Sequence, residues 1–425
     1  MRRFAFARLH AFPIIGWGGR ERWWSLLATA PITLSRAPHD TDLLVLAGEI
    51  PQSWGEPLAA LLETVSLPRA VLWLSPEWEC PLPPSLPGGS IIRPEWLDEI
   101  DWPDITQRLL NPDHPVQHAL LPDKPPSPWR GRGDYGQGGE GMMGGKPYGR
   151  PMAMTMEDRD NMTLDDVATA LGPYFPGLPS GLQLNLKVQG DCIRTCQDMT
   201  NTFPHRQLTP TLIRYGEPVL RTLGGEAITV QLLERERLRN HLGWMADFLE
   251  FAGLNALAQR LRRHRNSTDP DLVNGLLNRI DGFALRRLTQ GIGVITHDQA
   301  QRLNLVGPVA RASGVATDTR SLDSAYQALK FTPQVETAGD VWARWRVRVR
   351  ECRQSLALLH QAGDTLTLAR EGARGCYARN SAGGLDTPTK ANLAAVKPNL
   401  AGLEWFEAIL FLTSLDLDMT EAALG

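Results

Sequence analysis

The chain has 425 residues, of which 42% are hydrophobic and 21% charged, and its formal net charge is −3 at pH 7. This length predicts two or three domains, and the composition is that of a globular protein with ample apolar material for a core. The near-neutral charge argues against nucleic-acid binding, and no window approaches the roughly 20 apolar residues of a membrane span. Arg8 and His10 interrupt any signal-peptide run. We therefore predict a cytoplasmic protein that reaches a membrane only through partners.

Residues 1–121 alternate short apolar runs with helical stretches, which predicts an α/β domain. Residues 42–48 and 69–75 have the pattern of buried parallel strands, and residues 56–65 between them have helical spacing. Strand, helix and strand within about 35 residues predict a βαβ unit.

Residues 122–160 are rich in proline and glycine and are predicted to form a linker between domains. Nine glycines fall within residues 131–149, which leaves too few side chains for a core. A phosphate-binding loop would need Gly-Lys-Ser/Thr at the start of a helix, but Lys146 is followed by Pro147. We expect this segment to become ordered only against a neighbour.

Residues 161–425 are predicted to be mainly helical after an opening hairpin. Residues 182–188 alternate apolar and polar side chains, which predicts a strand with one wet face. Asp269 suits the N-cap of a helix and Pro270 its first position. Helices are predicted where apolar residues recur at helical spacing, over residues 228–263, 270–289, 341–359 and 406–415.

Five cysteines are present, and Cys192 and Cys196 form a C-x3-C pair. An odd number of cysteines does not predict a disulfide framework. One pair also supplies too few thiolates for a zinc site or an iron–sulfur cluster. Cys192 and Cys196 are therefore weak metal candidates, and two half-buried thiols are the favoured interpretation.

The motifs of residues 165–425 resemble, in the same order, those of the large, hydrogenase-derived subunit of respiratory complex I, a relative of nickel–iron hydrogenase large subunits. The motifs are an opening hairpin at 172–190, a Glu-x-x-Arg-x-x-x-His-Leu helix at 234–242, a segment at 307–320, an arginine-rich helix at 339–355, and short motifs at 371–375 and 413–416. The resemblance implies an α-rich (α+β) domain of the nickel–iron-hydrogenase large-subunit type over residues 161–425.

The first part of the chain resembles the small, cluster-bearing subunit of complex I. The resemblance rests on residues 42–48, the helix after them, residues 67–74, and residues 93–95, which match the end of a Cys-Pro-Pro-Arg-Pro-Glu motif. It implies a flavodoxin-like α/β domain, degenerate in its ligands. Two subunits that adjoin in complex I would then be fused in one polypeptide.

The residues that would hold the family's redox centres are missing. A four-iron cluster needs four thiolates. However, the glycine-rich turn at 15–20 has no cysteine, the later ligand positions fall near Glu77 and on Ser90, and only Cys80 is nearby. A nickel–iron site needs two Cys-x-x-Cys pairs, and residues 416–420 supply none at the C-terminus. We therefore expect no cofactor.

The quinone site that the resemblance implies is also altered. Phe175 and Ser180 stand where the family's hairpin carries histidines that hydrogen-bond the quinone, and Tyr215 is the candidate for its tyrosine. Phenylalanine donates no hydrogen bond, and serine is a poor proton donor at neutral pH. These three residues are a predicted remnant of the quinone site.

Several charged residues of the motifs are kept. Glu234, Arg237 and His241 are spaced i, i+3 and i+7 on one helix face. A structural ion-pair cluster is favoured there over a role in tuning charge beside a redox centre. A second charged set is expected to join the helical core to the small-subunit interface, since buried arginines must be paired. It comprises Arg311, Asp318, Arg320, Arg344, Arg348 and Arg350.

The resemblance implies a redox-inactive core subunit of a membrane-associated assembly related to complex I, without enzymatic activity of its own. The chain would attach peripherally to the cytoplasmic side of the inner membrane through antiporter-like membrane subunits, and would cap or couple a proton- or ion-translocating module. One alternative is a divergent quinone-linked oxidoreductase subunit that takes electrons from a partner's cluster. Another is a hydrogenase maturation scaffold, which would rely on Cys192 and Cys196.

Overall fold

The computed structural model describes residues 8–74, 91–94, 96–111, 155–157, 163–175, 177–381 and 384–425. Most of the predicted linker lies outside the described residues, as do Glu77, Cys80 and Ser90.

The N-terminal part contains a five-stranded parallel sheet with strand order β2-β1-β3-β4-β5. Its strands are β1 (Leu9–Ile15), β2 (Ile32–Leu34), β3 (Leu43–Ala47), β4 (Ala70–Leu74) and β5 (Ile91–Ile92), accompanied by helices α1 (Arg20–Thr29), α2 (Gly55–Thr64) and α3 (Trp102–Leu110). Every residue of β3 and β4 is buried, as expected for central parallel strands covered on both faces. The predicted βαβ unit is present as β3, α2 and β4, and the strand order is that of flavodoxin-like sheets.

A second sheet is antiparallel and follows the strand order β6-β7-β8-β9. It consists of β6 (Thr155–Glu157), β7 (Thr163–Leu171), β8 (Leu182–Gln189) and β9 (Cys192–Asn201). In β8, residues from Leu182 onward alternate between buried and half-buried, which confirms the predicted amphipathic strand. The connection between β7 and β8 is the predicted opening hairpin.

The rest of the chain is mainly helical. Its helices are α4 (Pro210–Tyr215), α5 (Pro218–Leu223), α6 (Val230–Phe251), α7 (Asn255–His264), α8 (Pro270–Ile280), α9 (Phe283–Thr289), α10 (His297–Arg302), α11 (Gly307–Ala312), α12 (Ser324–Ala328), α13 (Val341–Gln361), α14 (Pro388–Leu393), α15 (Val396–Leu400), α16 (Trp405–Ser414) and α17 (Met419–Ala422). Short antiparallel pairs join β10 (Ile228–Thr229) to β11 (Leu366–Thr367) and β12 (Ala378–Arg379) to β13 (Leu385–Asp386).

Two of the predicted helices are each divided in the structure, so the predictions of continuous helices over residues 228–263 and 270–289 were wrong. The first breaks between α6 and α7, where Gly253 has a φ of +78° that favours glycine and ends a helix. The second breaks between α8 and α9, where Gly282 is extended. Asp269 caps α8 as predicted, because its side chain accepts hydrogen bonds from the backbone of Asp271 and Leu272.

The largest hydrophobic core is shared between the parallel sheet and the later part of the chain. It brings Ile14 and Leu46 of the sheet together with Leu184 of β8, Val309 of α11 and Phe411 of α16. The carboxyl ends of β1 and β3 therefore lie against the hairpin and the helical region. This shared core fixes the geometry of the site described next.

Candidate functional site

The chain makes a tight glycine turn where β1 ends. Ligand sites of open parallel sheets lie at the carboxyl ends of the strands where the strand order reverses, which here is between β1 and β3. A Cβ atom on Gly19 would lie 2.0 Å from the carbonyl oxygen of Ala47, and Gly48 has a φ of +82°, so both positions require glycine. The turn of residues 16–19 consequently lies close to the end of β3.

A cavity of about 310 Å³ lies between this turn, α6, the β7–β8 hairpin and residues 412–420. Its volume is sufficient for a small organic molecule. Aromatic side chains line much of its wall, contributed by Trp23, Trp24, Tyr174, Phe175, Phe203, Trp244 and Phe251. The N-terminal sheet and the helical region thus build one cavity together.

The structure brings two of the three predicted quinone-site residues to this cavity. Phe175 lines it and packs its ring edge-on against Trp405, with the centroids 5.7 Å apart. Ser180 also lines it, but its Oγ donates a hydrogen bond to the carbonyl oxygen of Ile15. Tyr215 is the last residue of α4, and its side chain is outside the described part of the chain.

An ion pair joins the glycine turn to the C-terminal segment. Arg20 Nη2 lies 2.8 Å from Asp416 Oδ1, and Arg348 Nη1 lies 3.4 Å from Asp416 Oδ2. Burial alone would raise the pKa of Asp416, but the charges of Arg20 and Arg348 outweigh it and hold the pKa below its ordinary value. Asp416 is therefore ionised and is held between two arginines from distant parts of the chain.

Glu351 of α13 is the centre of a buried network of charged side chains. Arg311 Nη2 approaches Glu351 Oε1 at 2.6 Å, and Arg237 Nη2 approaches Oε2 at 3.0 Å. Burial raises the pKa of Glu351 by itself, but the charge of Arg311 and the hydrogen bond from His241 bring it well below the ordinary value. Arg311 also contacts Asp318 and Glu371, at 3.2 and 3.0 Å.

Glu234 forms a second node of the same network. Arg320 Nη1 lies 3.0 Å from Glu234 Oε1, which also accepts a 2.6 Å hydrogen bond from the hydroxyl of Tyr326. Arg320 makes a bidentate contact with Asp318, at 3.0 and 2.8 Å. Burial would raise the pKa of Asp318, but Arg320 and Arg311 lower it to about 2.

His241 connects the network to the pair beside the cavity. Its Nε2 lies 3.0 Å from Glu351 Oε2, and its Nδ1 lies 3.5 Å from Arg348 Nη1. These contacts suit a neutral imidazole that donates from Nε2 and accepts at Nδ1. Burial lowers the pKa of His241 to about 4, which agrees with the neutral form. A continuous series of polar contacts therefore runs from Arg20 through Asp416, Arg348 and His241 to Glu351.

The two other predicted arginines lie apart from this network. Arg344 is buried and donates to Ser414 Oγ at 2.7 Å and to the carbonyl oxygens of Gly339 and Gly293 at 2.8 and 2.9 Å. Burial lowers the pKa of Arg344 to about 9. Arg350 is half-buried and pairs with Glu336 at 2.8 Å near the surface.

A further cluster lies beside the cavity and was absent from the predicted set. Arg374 Nη2 lies 2.7 Å from Glu217 Oε1, and its Nε donates to Glu421 Oε2 at 2.5 Å. The hydroxyl of Tyr377 donates to the same Glu421 oxygen at 2.9 Å. The motif at 371–375 therefore contributes Glu371 to the central network and Arg374 to the cavity edge.

The Cys192–Cys196 pair lies on β9, away from the cavity-lining residues. Cys196 is buried, and burial raises the pKa of its thiol. A raised pKa disfavours the thiolate that binds metals. Among the residues that the structure describes, no group of three or more histidine, cysteine or acidic side chains is arranged to hold a metal ion.

The family's cofactors do not fit the described residues of the cavity. The glycine turn presents Arg20, and the C-terminal segment presents Asp416, where thiolates would be needed. The hairpin presents Phe175, which has no hydrogen-bonding group, and Ser180, whose hydroxyl is directed to Ile15. The described part of the chain also contains no helix that is long and apolar enough to span a membrane.

The hairpin, the cavity and the buried arginine–carboxylate network are the features expected of the hydrogenase-derived large-subunit class. Residues 267–381 match the family of the respiratory-chain NADH dehydrogenase 49 kDa subunit. This stretch carries Arg311, Asp318, Arg320 and Glu351, so it includes most of the network. The match confirms that the C-terminal part of the chain resembles the 49 kDa subunit of NADH dehydrogenase.

Individual relatives can be compared with the chain in the same way. It is 27% identical over 266 residues to a subunit of the NAD(P)H-quinone oxidoreductase of Picosynechococcus, which covers 45% of this chain and 67% of that protein. It is 32% identical over 179 residues to the corresponding subunit of Prochlorococcus marinus, covering 32% of this chain and 45% of that protein. A solved archaeal respiratory membrane complex, the membrane-bound sulfane sulfur reductase, aligns with a TM-score of 0.46 and 19% identity over 60% of this chain and 98% of that one.

Proposed function

We propose that the chain is a redox-inactive subunit of a membrane-associated assembly related to complex I. In this proposal it combines the small-subunit and large-subunit parts in one polypeptide and attaches to the cytoplasmic side of the membrane through antiporter-like membrane subunits. It carries no iron–sulfur cluster, nickel–iron centre or quinone, and it caps or couples an ion-translocating module.

The observation that supports this proposal is the ion pair between Arg20 and Asp416. Arg20 belongs to the turn where the small-subunit resemblance implies cysteine ligands, and Asp416 belongs to the segment where hydrogenases carry a cysteine pair. The two side chains lie 2.8 Å apart, and Asp416 is buried. A buried ion pair is costly to break, because either charge would be left without its partner. The pair therefore joins the two parts of the chain in place of metal ligands.

The buried network supports a structural role for the motif residues of α6. Glu234, Arg237 and His241 each contact a charged partner on another segment, so the network ties α6 to α13 and to the segment that follows α11. Such a scaffold would transmit a shift of the glycine turn to the helical core through Arg348 and His241.

The test is an iron and acid-labile sulfide determination on the chain purified with its native partners, together with an EPR spectrum after reduction. We expect no iron attributable to this chain and co-purification of antiporter-like membrane subunits. About four irons per chain would overturn the proposal, since a four-iron cluster would then have ligands among the cysteines.

A second candidate function is a quinone-linked oxidoreductase subunit, and one observation favours it. Tyr174 lines the cavity, its hydroxyl has no hydrogen-bond partner in the described part of the chain, and burial raises its pKa. A neutral phenol is a hydrogen-bond donor suited to a quinone carbonyl. Co-purification of a stoichiometric quinone, lost on the change Tyr174→Phe, would establish this alternative.

A further inference from the structure

Helix α6 presents a second polar face to the cavity, opposite the face that carries the buried network. Glu236 and Asn240 lie one turn apart on this face and both line the cavity. Asn240 is only 7% exposed, and its side-chain amide makes no hydrogen bond within the described residues. A buried amide without a partner is unfavourable, so its position at the cavity wall points to a polar group of a bound molecule.

Glu236 lacks a cation of its own. The cation nearest to it, Arg239, lies 3.5 Å from Glu236 Oε2 and is bonded more closely to Glu21. Burial raises the pKa of Glu236 to about 6, and the neighbouring Glu217 and Glu21 raise it further against the effect of Arg239. The carboxylate is therefore under-neutralised, and a positive charge in the cavity would stabilise its ionised form.

The lining of the cavity as a whole has more carboxylates than guanidinium groups. Seven acidic side chains and three arginines line it among the described residues. The arginines are shared: Arg262 pairs with both Asp247 and Glu250, at 3.2 and 2.6 Å. Arg374 likewise serves Glu217 and Glu421. The electrostatic field inside the cavity therefore favours a cation over an anion.

We infer that the cavity binds a protonated organic amine with an apolar body. Its ammonium group would pair with Glu236 and donate to the side-chain oxygen of Asn240, while its apolar part would pack against the aromatic wall. A molecule that carries only acceptors is less suited, because the guanidinium of Arg20 and the hydroxyl of Ser180 already have partners. This inference goes beyond the proposed function and rests on the cavity alone.

The experiment compares two probes of equal shape, phenylbutylamine and phenylbutanol, by isothermal titration calorimetry on the chain purified with its partners. We expect the amine to bind at least about tenfold more tightly than the alcohol, which corresponds to about 1.4 kcal/mol. Glu236→Gln should weaken amine binding by a similar factor and leave alcohol binding within about twofold. Amine affinity should also rise between pH 5 and 7, as Glu236 ionises around pH 6.

The control is Glu226→Gln, which removes an exposed carboxylate outside the cavity and should leave both affinities unchanged. If Glu236→Gln lowers the thermal midpoint of the free protein strongly, Asn240→Ala serves in its place and should weaken amine binding alone. Equal affinities for the two probes would overturn the inference. So would tighter binding of a short-chain benzoquinone that depends on Tyr174. Iron analysis of the same preparation tests the proposed function separately, so the two can fail independently.

Discussion

The two faces of α6 show two ways of treating buried charge. On one face, Glu234, Arg237 and His241 each meet partners that neutralise them, and Glu351 receives two guanidinium groups and an imidazole. On the other face, Glu236 has a distant, shared cation and Asn240 has no partner in the described part of the chain. A closed network stabilises a scaffold, whereas an incomplete one leaves interactions for a ligand. The same helix therefore serves both the proposed structural role and the inferred binding site.

The largest effect should come from breaking the closed network at its centre. We expect Glu351→Gln to destabilise the protein by about 3–5 kcal/mol, because Arg311 and Arg237 would be left without the carboxylate that neutralises them. The measurement is urea unfolding followed by circular dichroism. The matched control is Glu336→Gln, which removes a carboxylate that pairs with Arg346 and Arg350 near the surface and should cost no more than about 1 kcal/mol. Equal losses would show that the buried network contributes no more than a surface pair.

The link between the cavity and the network should have the next largest effect. We expect Arg20→Gln to cost about 2 kcal/mol, since it removes a charged hydrogen bond to the buried Asp416 while Arg348 remains as a partner. Arg20→Lys keeps the charge and should lose less. Thermal unfolding of both variants checks this expectation. An Arg20→Gln variant as stable as the wild type would remove the physical basis for a joint between the two parts of the chain.

Much of the fold follows from sequence pattern, because the relevant signals are local. The apolar runs that become β3 and β4, the alternation of β8 and the apolar spacing of α13 depend on neighbours only a few residues away. The helix breaks at Gly253 and Gly282 were missed because an apolar face continued across each glycine. A glycine after a periodic stretch is a stop signal, and at these two positions it outweighs the continuing apolar face.

The candidate site was only partly predictable, because its partners are distant in sequence. Glu234, Arg237 and His241 stand out by their spacing, but the partner that joins Arg237 and His241 is Glu351, more than one hundred residues away. Asp416 and Arg20 are separated by nearly the whole chain. The second face of α6 did carry a local signal, since Glu236, Asn240 and Asp247 are spaced i, i+4 and i+11, which also marks one side of a helix. A helix with two polar faces indicates two polar environments.

The network also predicts how stability depends on pH. The pKa of His241 is about 4 in the folded protein, below its ordinary value near 6.5, so the unfolded chain binds the proton more readily between these values. The contribution of the neutral imidazole is therefore complete above about pH 6.5 and is lost as the pH falls towards 4. Between pH 7 and pH 5, the wild type should lose about 2 kcal/mol more stability than His241→Gln, as measured by urea unfolding. Parallel pH profiles of the two proteins would contradict the neutral, buried imidazole.

The smallest effect concerns the hydroxyl at the border between the cavity and the turn. Ser180 Oγ donates to the Ile15 carbonyl oxygen, so Ser180→Ala should cost about 1 kcal/mol and leave that oxygen without this donor. If the hydroxyl serves only to hold the hairpin against the turn, binding of phenylbutylamine should be unchanged in this variant. A loss of amine affinity without a loss of stability would instead place Ser180 among the groups that contact the ligand. The comparison between the closed and the open face of α6 would then have to include the hairpin as a third contributor.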